Sequence, residues 1–598
     1  MKFSCGVILS MFESGNDYIK YLNSMNNANS GNKNALAESQ VLNKYYDDIK
    51  IDRKLGEIIY NKLFSSNENI GIILTGHAGD GKTSILIQVL EKMGYFKSGK
   101  KPLKEKEVYD NKLFYVKDMS ELNESNQNDM MRKFLQYPNK KISSLLISNT
   151  GPLINTFRNI LDEYSFESLE VDLLESLDTN TLEPIEVKIG EEVCRFIAVN
   201  MANIDNTYLV KDIINNLLKE NLWTKCINCT VSNRCPIAFN HKICSNNKER
   251  IISIVEKIYT WFKENESRLT IRQMLSHLSF ALTGNLSCEE INNAIIHKND
   301  ALFNYAFPNL LFGYEGTKFK QESFNIKAIK ELGKISLDEK TLSSDYRLFV
   351  HEDFTMFDDD IISILEDKLR KNQHDLGVTS EESTKLRRAF RRFYIICSRI
   401  SEGEFDTLIE DIFCEAFNMF YKLKNNKAIT HRDKNKIKDI VFEGLYKTFL
   451  GVYPKEEQML YLTVKRELDE IQNVQLILGE VPKNDINVKN VDKICNFKES
   501  DDEYITKIIF SRCDEEIYLT FQMLQYFMRI GNGEIFTTLN PSFTFGINSL
   551  KATLLKCYKY SSDILEDDYA PEIKLLVIKK CGVENIKMII EEGMMEVL

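Results

Sequence analysis

The stretch Gly71–Leu86, "GIILTGHAGDGKTSIL", decides how this chain is read. Ile70 to Thr75 form a short apolar run with β-branched character, suited to a buried parallel strand. A glycine-rich turn follows, and "SILIQVLEKM" (84–93) then carries helical periodicity. Strand, turn and helix are the context in which G-x-x-x-x-G-K-[ST] makes a phosphate cradle. Gly76, Gly79 and Gly81 let backbone N–H groups converge on phosphate oxygens with no Cβ in the way, and the helix adds its positive end. Ala78, Asp80 and Ser84 complete the loop. Lys82 is placed to reach the β- and γ-phosphates, and the Thr83 hydroxyl to ligate Mg2+. The expectation is a nucleoside triphosphate, taken as ATP; the loop does not specify the base.

Hydrolysis needs more than a cradle: a carboxylate for the Mg2+ at a strand end and a group that orients water. "KLFYVKDMSEL" (112–122) offers a strand ending in Asp118, with Glu121 three residues on. Asp118 is the candidate Mg2+ carboxylate and Glu121 the candidate water-polarising group. The same four residues also read as a D-x-x-E capping box. "SSLLISNTGPLINTF" (143–157) is a third strand, ending in Asn149 and Thr150, and Asn149 suits a γ-phosphate sensor at a strand tip. "CRFIAVNMANID" (194–205) is a fourth, ending in Asn200 and Asp205. Either Asn also fits a turn. Strands alternating with helices imply a parallel sheet with its ligand at the carboxyl ends.

Composition agrees with a folded chain: 598 residues, 28% charged and 11% aromatic. The net charge of −11 argues against a surface that coats DNA through general electrostatics. No apolar run reaches the length of a membrane span, and the N-terminus lacks the pattern of a signal peptide, so the expected location is cytoplasmic. Thirteen cysteines then suggest reduced thiols and a metal site.

Four of them, Cys226, Cys229, Cys235 and Cys244, fall within "WTKCINCTVSNRCPIAFNHKIC" (223–244). C-x2-C presents two thiolates from one turn, and two more follow within reach. This suits a structural Zn2+, with His241 as an alternative to Cys244. Cys235-Pro236 also fits an iron–sulfur loop, and buried thiols without metal are the third reading.

Farther on, "RLTIRQMLSHL" (268–278) opens a helix with Thr270 as N-cap and Gln273 completing a capping box. Arg272 lies in its first turn, where a cation is unfavourable unless an anion is near. It is a candidate γ-phosphate contact from a helical lid, or a solvated surface arginine. A second capping box, Thr379 to Glu382, precedes Arg387, Arg388, Arg391 and Arg392. That basic cluster suits a local nucleic-acid contact, an arginine finger, a partner patch or a solvated helix face. Glu186-x-Lys188 with Asp178 upstream is a weak nuclease-like pattern.

The order "GHAGDGKTS", "KDMSEL", "LISNTGPLINTF" and a cysteine-rich insertion resembles the DptF-type P-loop ATPases of phosphorothioation-dependent DNA restriction and related bacterial anti-phage ATPases. "LTFQMLQYFMRIGNGE" (519–534) resembles a late segment of the same proteins. The resemblance is specific over 70–160, looser over 200–290 and thin elsewhere. It implies an ATPase subunit that acts with partner proteins on foreign DNA. A nucleotide-binding switch with little hydrolysis and an AAA-like protein remodeller are the alternatives.

The expected fold class is α/β: a P-loop NTPase core with a parallel sheet, a Cys-rich insertion, a large helical lid and a C-terminal helical and α+β region. Expected boundaries are 1–65 for N-terminal helices around a linker at 23–34, 66–220 for the core, 221–250 for the insertion and 251–345 for the lid. A helical region at 346–475 and a small α/β docking domain at 476–598 complete the chain.

Overall fold

β1 (Gly71–Thr75) lies at the centre of a six-stranded sheet in the computed structural model of the chain. The structure describes residues 15–25, 42–64, 69–96, 102–298, 300–313, 323–337, 340–372, 381–453, 457–464, 473–493, 497–513, 517–534, 541–560, 572–579, 582–591 and 594–597. Most of the expected linker at 23–34, and Thr379 of the second capping box, lie outside them.

The other strands are β2 (Lys106–Tyr109), β3 (Leu113–Val116), β4 (Ser143–Ile147), β5 (Ile185–Ile189) and β6 (Glu192–Asn200). Their order is β2-β3-β4-β1-β6-β5. β3, β4, β1 and β6 run parallel, and β2 and β5 close the two edges as antiparallel partners. The architecture is thus mixed α/β around a mainly parallel sheet.

Strand periodicity sorts the core onto two faces, because successive side chains on a strand point to opposite sides. Ile72, Leu74, Tyr115, Leu145, Ile147, Ile197 and Val199 share one apolar cluster with Leu55, Ile59 and Leu63 of the helix Lys54–Phe64 and with Ile85, Leu86 and Val89 of the helix Lys82–Lys92. The intervening Ile73, Phe114, Val116, Leu146, Phe196 and Ala198 face the helices Glu124–Gln136, Thr150–Ile160 and Glu163–Thr179. A sheet covered on both faces explains why β1 and β3 read as apolar runs with no polar alternation, and why β4 is buried along its whole length, its two serines bonded to the carbonyls of Leu63 and Phe134.

The chain divides into two units, Met1–Ile412 with Cys495–Asp501, and Phe413–Ile494 with Asp502–Leu598. The division at Ile412 falls inside the region expected as 346–475. Beyond the sheet, the first unit is helical, including Lys248–Glu264 and Ile271–Thr283. The second unit carries two antiparallel sheets. One contains β7 (Met459–Val464), β8 (Val474–Pro482), β12 (Glu572–Lys579), β13 (Gly582–Glu591) and β14 (Met594–Val597); the other contains β9 (Ile486–Asp492), β10 (Tyr504–Phe510) and β11 (Ile517–Tyr518). Helices His431–Leu450 and Phe521–Gly531 accompany them, and Phe527 packs so closely on Gly444 that a Cβ there meets its ring at 2.4 Å. Among the described residues no helix is long and apolar enough to cross a membrane.

Candidate functional site

The glycine-rich loop leaves β1 at its carboxyl end and enters the helix Lys82–Lys92 directly. Gly76, Gly79 and Gly81 adopt φ of 140°, 93° and 84°, a region that side chains with a Cβ rarely occupy. At Gly79 a Cβ also meets Thr270 Oγ1 at 2.9 Å. These glycines are therefore required by the path of the backbone. His77 and Ala78 are exposed at the rim of the loop, whereas Thr83 and Ser84 are half-buried in the first turn of the helix.

Lys82 folds back over the loop. Its ammonium donates to Gly76 O at 2.8 Å, to His77 O at 3.1 Å and to Asn149 Oδ1 at 3.2 Å. Burial pulls its pKa below the lysine norm; the Asp80 and Asp118 carboxylates oppose that shift, and the Arg272 charge adds to it. Lys82, Asp118, Asn149 and Arg272, read from stretches up to 190 residues apart, thus act on one point.

Asn149 occupies the N-cap position of the helix Thr150–Ile160 but makes no side-chain cap there, leaving its carbonyl oxygen for Lys82. Thr150 Oγ1 lies 2.9 Å from Thr75 Oγ1, tying the tips of β4 and β1 together. Asp118 is half-buried and accepts from Ser120 N at 2.9 Å, capping a short 3-10 turn, Met119–Glu121. Ser120 Oγ in turn accepts from Asn149 N at 2.8 Å, so the "DMSE" turn is fastened to the end of β4. Glu121 is exposed. The turn therefore has one cap from Asp118, where the sequence alone also allowed a reciprocal capping box.

The start of the helix Ile271–Thr283 closes one side of the loop. Its capping box forms as expected, Thr270 accepting from Gln273 N while Gln273 accepts from Thr270 N. Arg272 N donates to Gly79 O at 3.3 Å. The Arg272 guanidinium is half-buried, burial lowers its pKa, and it forms no ion pair among the described residues.

Contacts that sequence reasoning missed hold the loop through Asp80. Asp80 is fully buried; its carboxylate accepts from His77 N at 2.9 Å and from Arg268 Nη1 at 2.8 Å. Arg268 Nη2 also donates to Met201 O at 2.9 Å and Ile204 O at 3.1 Å, beyond the end of β6. Arg53, 2% exposed, donates to Asp80 O at 2.8 Å and pairs with the buried Glu499. No local signal marked Arg53, Arg268 or Glu499, since each stands in a polar, charged stretch remote from the loop in sequence.

Several expected residues have structural duties instead. Asn200 caps a 3-10 turn through Ala202 N, and Asp205 is buried against Thr207 and Lys263. Glu186 is exposed on β5 and pairs with Arg195, while Lys188 and Asp178 are also exposed. The basic cluster is a correction: none of its four arginines is exposed. Arg391 makes a bidentate pair with Asp345 at 2.6 and 2.8 Å, Arg392 is buried, Arg388 is half-buried, and Arg387 donates to Thr384. Amphipathic packing turns that helix inward, so these side chains do not make an open basic face.

The cysteine set is corrected as well. Cys226, Cys229 and Cys235 line one cavity, and their neighbour there is Cys288. Cys244 is fully buried, and its thiol, pushed well up by burial, feels Cys397. The helix Pro236–Asn246 separates it from Cys235 by nine residues, about 13 Å along the axis. His241 is taken up by packing, its ring stacked on Trp223 at 4.6 Å. No three His, Cys, Asp or Glu side chains among the described residues stand close enough to hold a single metal ion.

No protein-family model matches the chain, and no curated protein is significantly similar to it.

Proposed function

We propose that the glycine-rich loop binds ATP and that the chain is an ATPase. The observation that carries this reading is the Lys82 ammonium. It is buried at the mouth of a loop with three left-handed glycines and is satisfied by Gly76 O, His77 O and Asn149 Oδ1, weak partners that a phosphate outcompetes. Backbone N–H groups from Gly79 to Thr83 and the helix N-terminus supply the remaining attraction for anionic oxygens.

The residues present fit Mg2+ as well. Thr83 and Asp118 would hold it, since among the described residues the Asp118 carboxylate makes one hydrogen bond, from Ser120 N. The ion, when bound, neutralises charge developing on the phosphates. Asn149 and Arg272 are the groups of this chain that orient the terminal phosphate, and the half-buried Arg272 gains the anion that its position in the first turn of a helix lacks.

Action on foreign DNA with partner subunits belongs to this proposal through the resemblance of 70–160 to the DptF-type ATPases. A second reading, a nucleotide latch with little turnover, is favoured by one observation: Glu121, the candidate for orienting water, is exposed.

The test is hydrolysis by the wild type and by Lys82→Ala, with and without duplex DNA. Loss of at least about 10²-fold in turnover for the variant, and a rise with DNA for the wild type, is expected. ATP binding without turnover in any arm selects the latch. Equal turnover in both proteins refutes the site.

A further inference from the structure

The cavity holding three of the insertion's cysteines lies apart from the loop and has no place in the ATPase reading. It measures about 500 Å3, and Cys226, Cys229, Cys235 and Cys288 all line it. Cys226 lies in the last turn of the helix Glu220–Ile227, and Cys229 and Cys235 stand on either side of the 3-10 turn Ser232–Arg234. The fourth begins another helical segment, Cys288–Glu290, more than fifty residues on.

Zinc requires sulfurs about 2.3 Å from one centre, which brings four thiolates into mutual contact. Here the four thiols share the lining of a cavity of about 500 Å3 with ten other residues, and among the described residues no three ligands converge on a single ion. Four thiols spread around such a space match a polynuclear cluster, whose inorganic core holds its cysteines farther apart.

The surroundings suit a cluster with net negative charge. Asn16 Nδ2 donates to Cys226 Sγ at 3.3 Å, and the same amide group anchors itself on Leu222 O at 3.0 Å. Cys235 occupies the N-cap position of the eleven-residue helix Pro236–Asn246, without a side-chain cap hydrogen bond of its own, so it sits at the positive end of that helix, and Pro236 follows it directly. Hydrogen bonds of this kind to sulfur stabilise and tune iron–sulfur centres. Gly15 closes the wall beside Cys288: a Cβ there meets Cys288 Cβ at 2.7 Å and Sγ at 3.1 Å.

We propose that Cys226, Cys229, Cys235 and Cys288 ligate a four-iron, four-sulfide cluster that staples the segment at Gly15–Asn16, the cysteine-rich turns and the segment at Cys288 together. Cys288 replaces Cys244 as the fourth ligand. The proposal is independent of the ATPase reading, because its readout is metal content.

The full chain, expressed and purified without oxygen, is assayed for iron, acid-labile sulfide and zinc, with Cys288→Ser and Cys244→Ser beside it. About four iron and four sulfide per wild-type chain are expected, with the broad visible absorption of thiolate-bound iron. Cys288→Ser loses most of the iron, and Cys244→Ser keeps it. About one zinc without sulfide, or four free thiols and no metal, overturns the proposal. So does equal iron loss from both variants. Should Cys288→Ser fail to fold, the wild-type stoichiometry and the half-exposed Cys229→Ser decide the matter.

Discussion

Replacing Arg268 by Met removes the cation that holds the loop from outside while keeping most of the side chain's apolar volume. The guanidinium makes three hydrogen bonds, one to the Asp80 carboxylate and two to the carbonyls of Met201 and Ile204. Without it Asp80, fully buried, retains His77 N–H as its side-chain partner. Breaking a buried pair from one side costs about 3–5 kcal/mol. Arg268 retains 17% side-chain exposure, so water partly compensates and the lower end, about 3 kcal/mol, is expected. That is roughly a 10²-fold change in the unfolding equilibrium. Both tryptophans, Trp223 and Trp261, lie in the first unit, so urea unfolding followed by tryptophan fluorescence reads that unit. The midpoint falls with the slope unchanged. Asp80→Asn removes the stranded charge, so the double variant is more stable than the sum of the single losses predicts, by about 2 kcal/mol. A loss below about 1 kcal/mol for Arg268→Met, or strictly additive losses, refutes the clamp.

Gly79→Ala forces a Cβ at φ 93° against Thr270 Oγ1 and is expected to cost about 1–2 kcal/mol and to lower ATP affinity measured by calorimetry. Gly151→Ala, with nothing within 4 Å of its Cβ, leaves both unchanged and serves as the control. His277 is fully buried between Tyr259 OH and Leu311 O, each at 2.8 Å, and burial lowers its pKa to about 4. Folded His277 thus binds a proton more weakly than unfolded, so its contribution to stability is complete above about pH 6.5 and is lost as pH falls towards 4, about 3 kcal/mol in all. Histidine hydrogen exchange read by mass spectrometry gives the titration midpoint directly, and a midpoint near 6.5 contradicts this account. With the Lys82→Ala assay and the iron analysis above, these measurements address the loop, its clamp and the cysteine cavity separately.

Local chemistry was legible in advance. The central strand, the glycine-rich turn and its helix were readable because strand burial, left-handed glycines and helical periodicity are properties of adjacent residues. β8 and β10 are legible for the same reason, since "VQLILGEVP" and "YITKIIF" are short runs rich in β-branched and apolar residues. Illegible from sequence was which distant side chain satisfies a buried charge. Asp80 was visible as a loop residue, but its dependence on Arg268, 188 positions away, was not. Sequence proximity misled in the cysteine motif, where Cys244 is near Cys235 along the chain yet carried away by the intervening helix.

The sequence by itself determined the glycine positions, the lysine that follows them, the strands that alternate with helices and the helix cap at Thr270, since each depends on contacts a few residues long. Tertiary structure alone decided that Asn149 faces Lys82, that Arg268 and the Arg53–Glu499 pair brace the loop, that Arg391 turns inward to Asp345, and that Cys288 joins the three cysteines. All of these pair polar groups removed from water. Such a group must find a partner wherever the packing of the sheet and helices brings one, and that choice belongs to the folded chain as a whole.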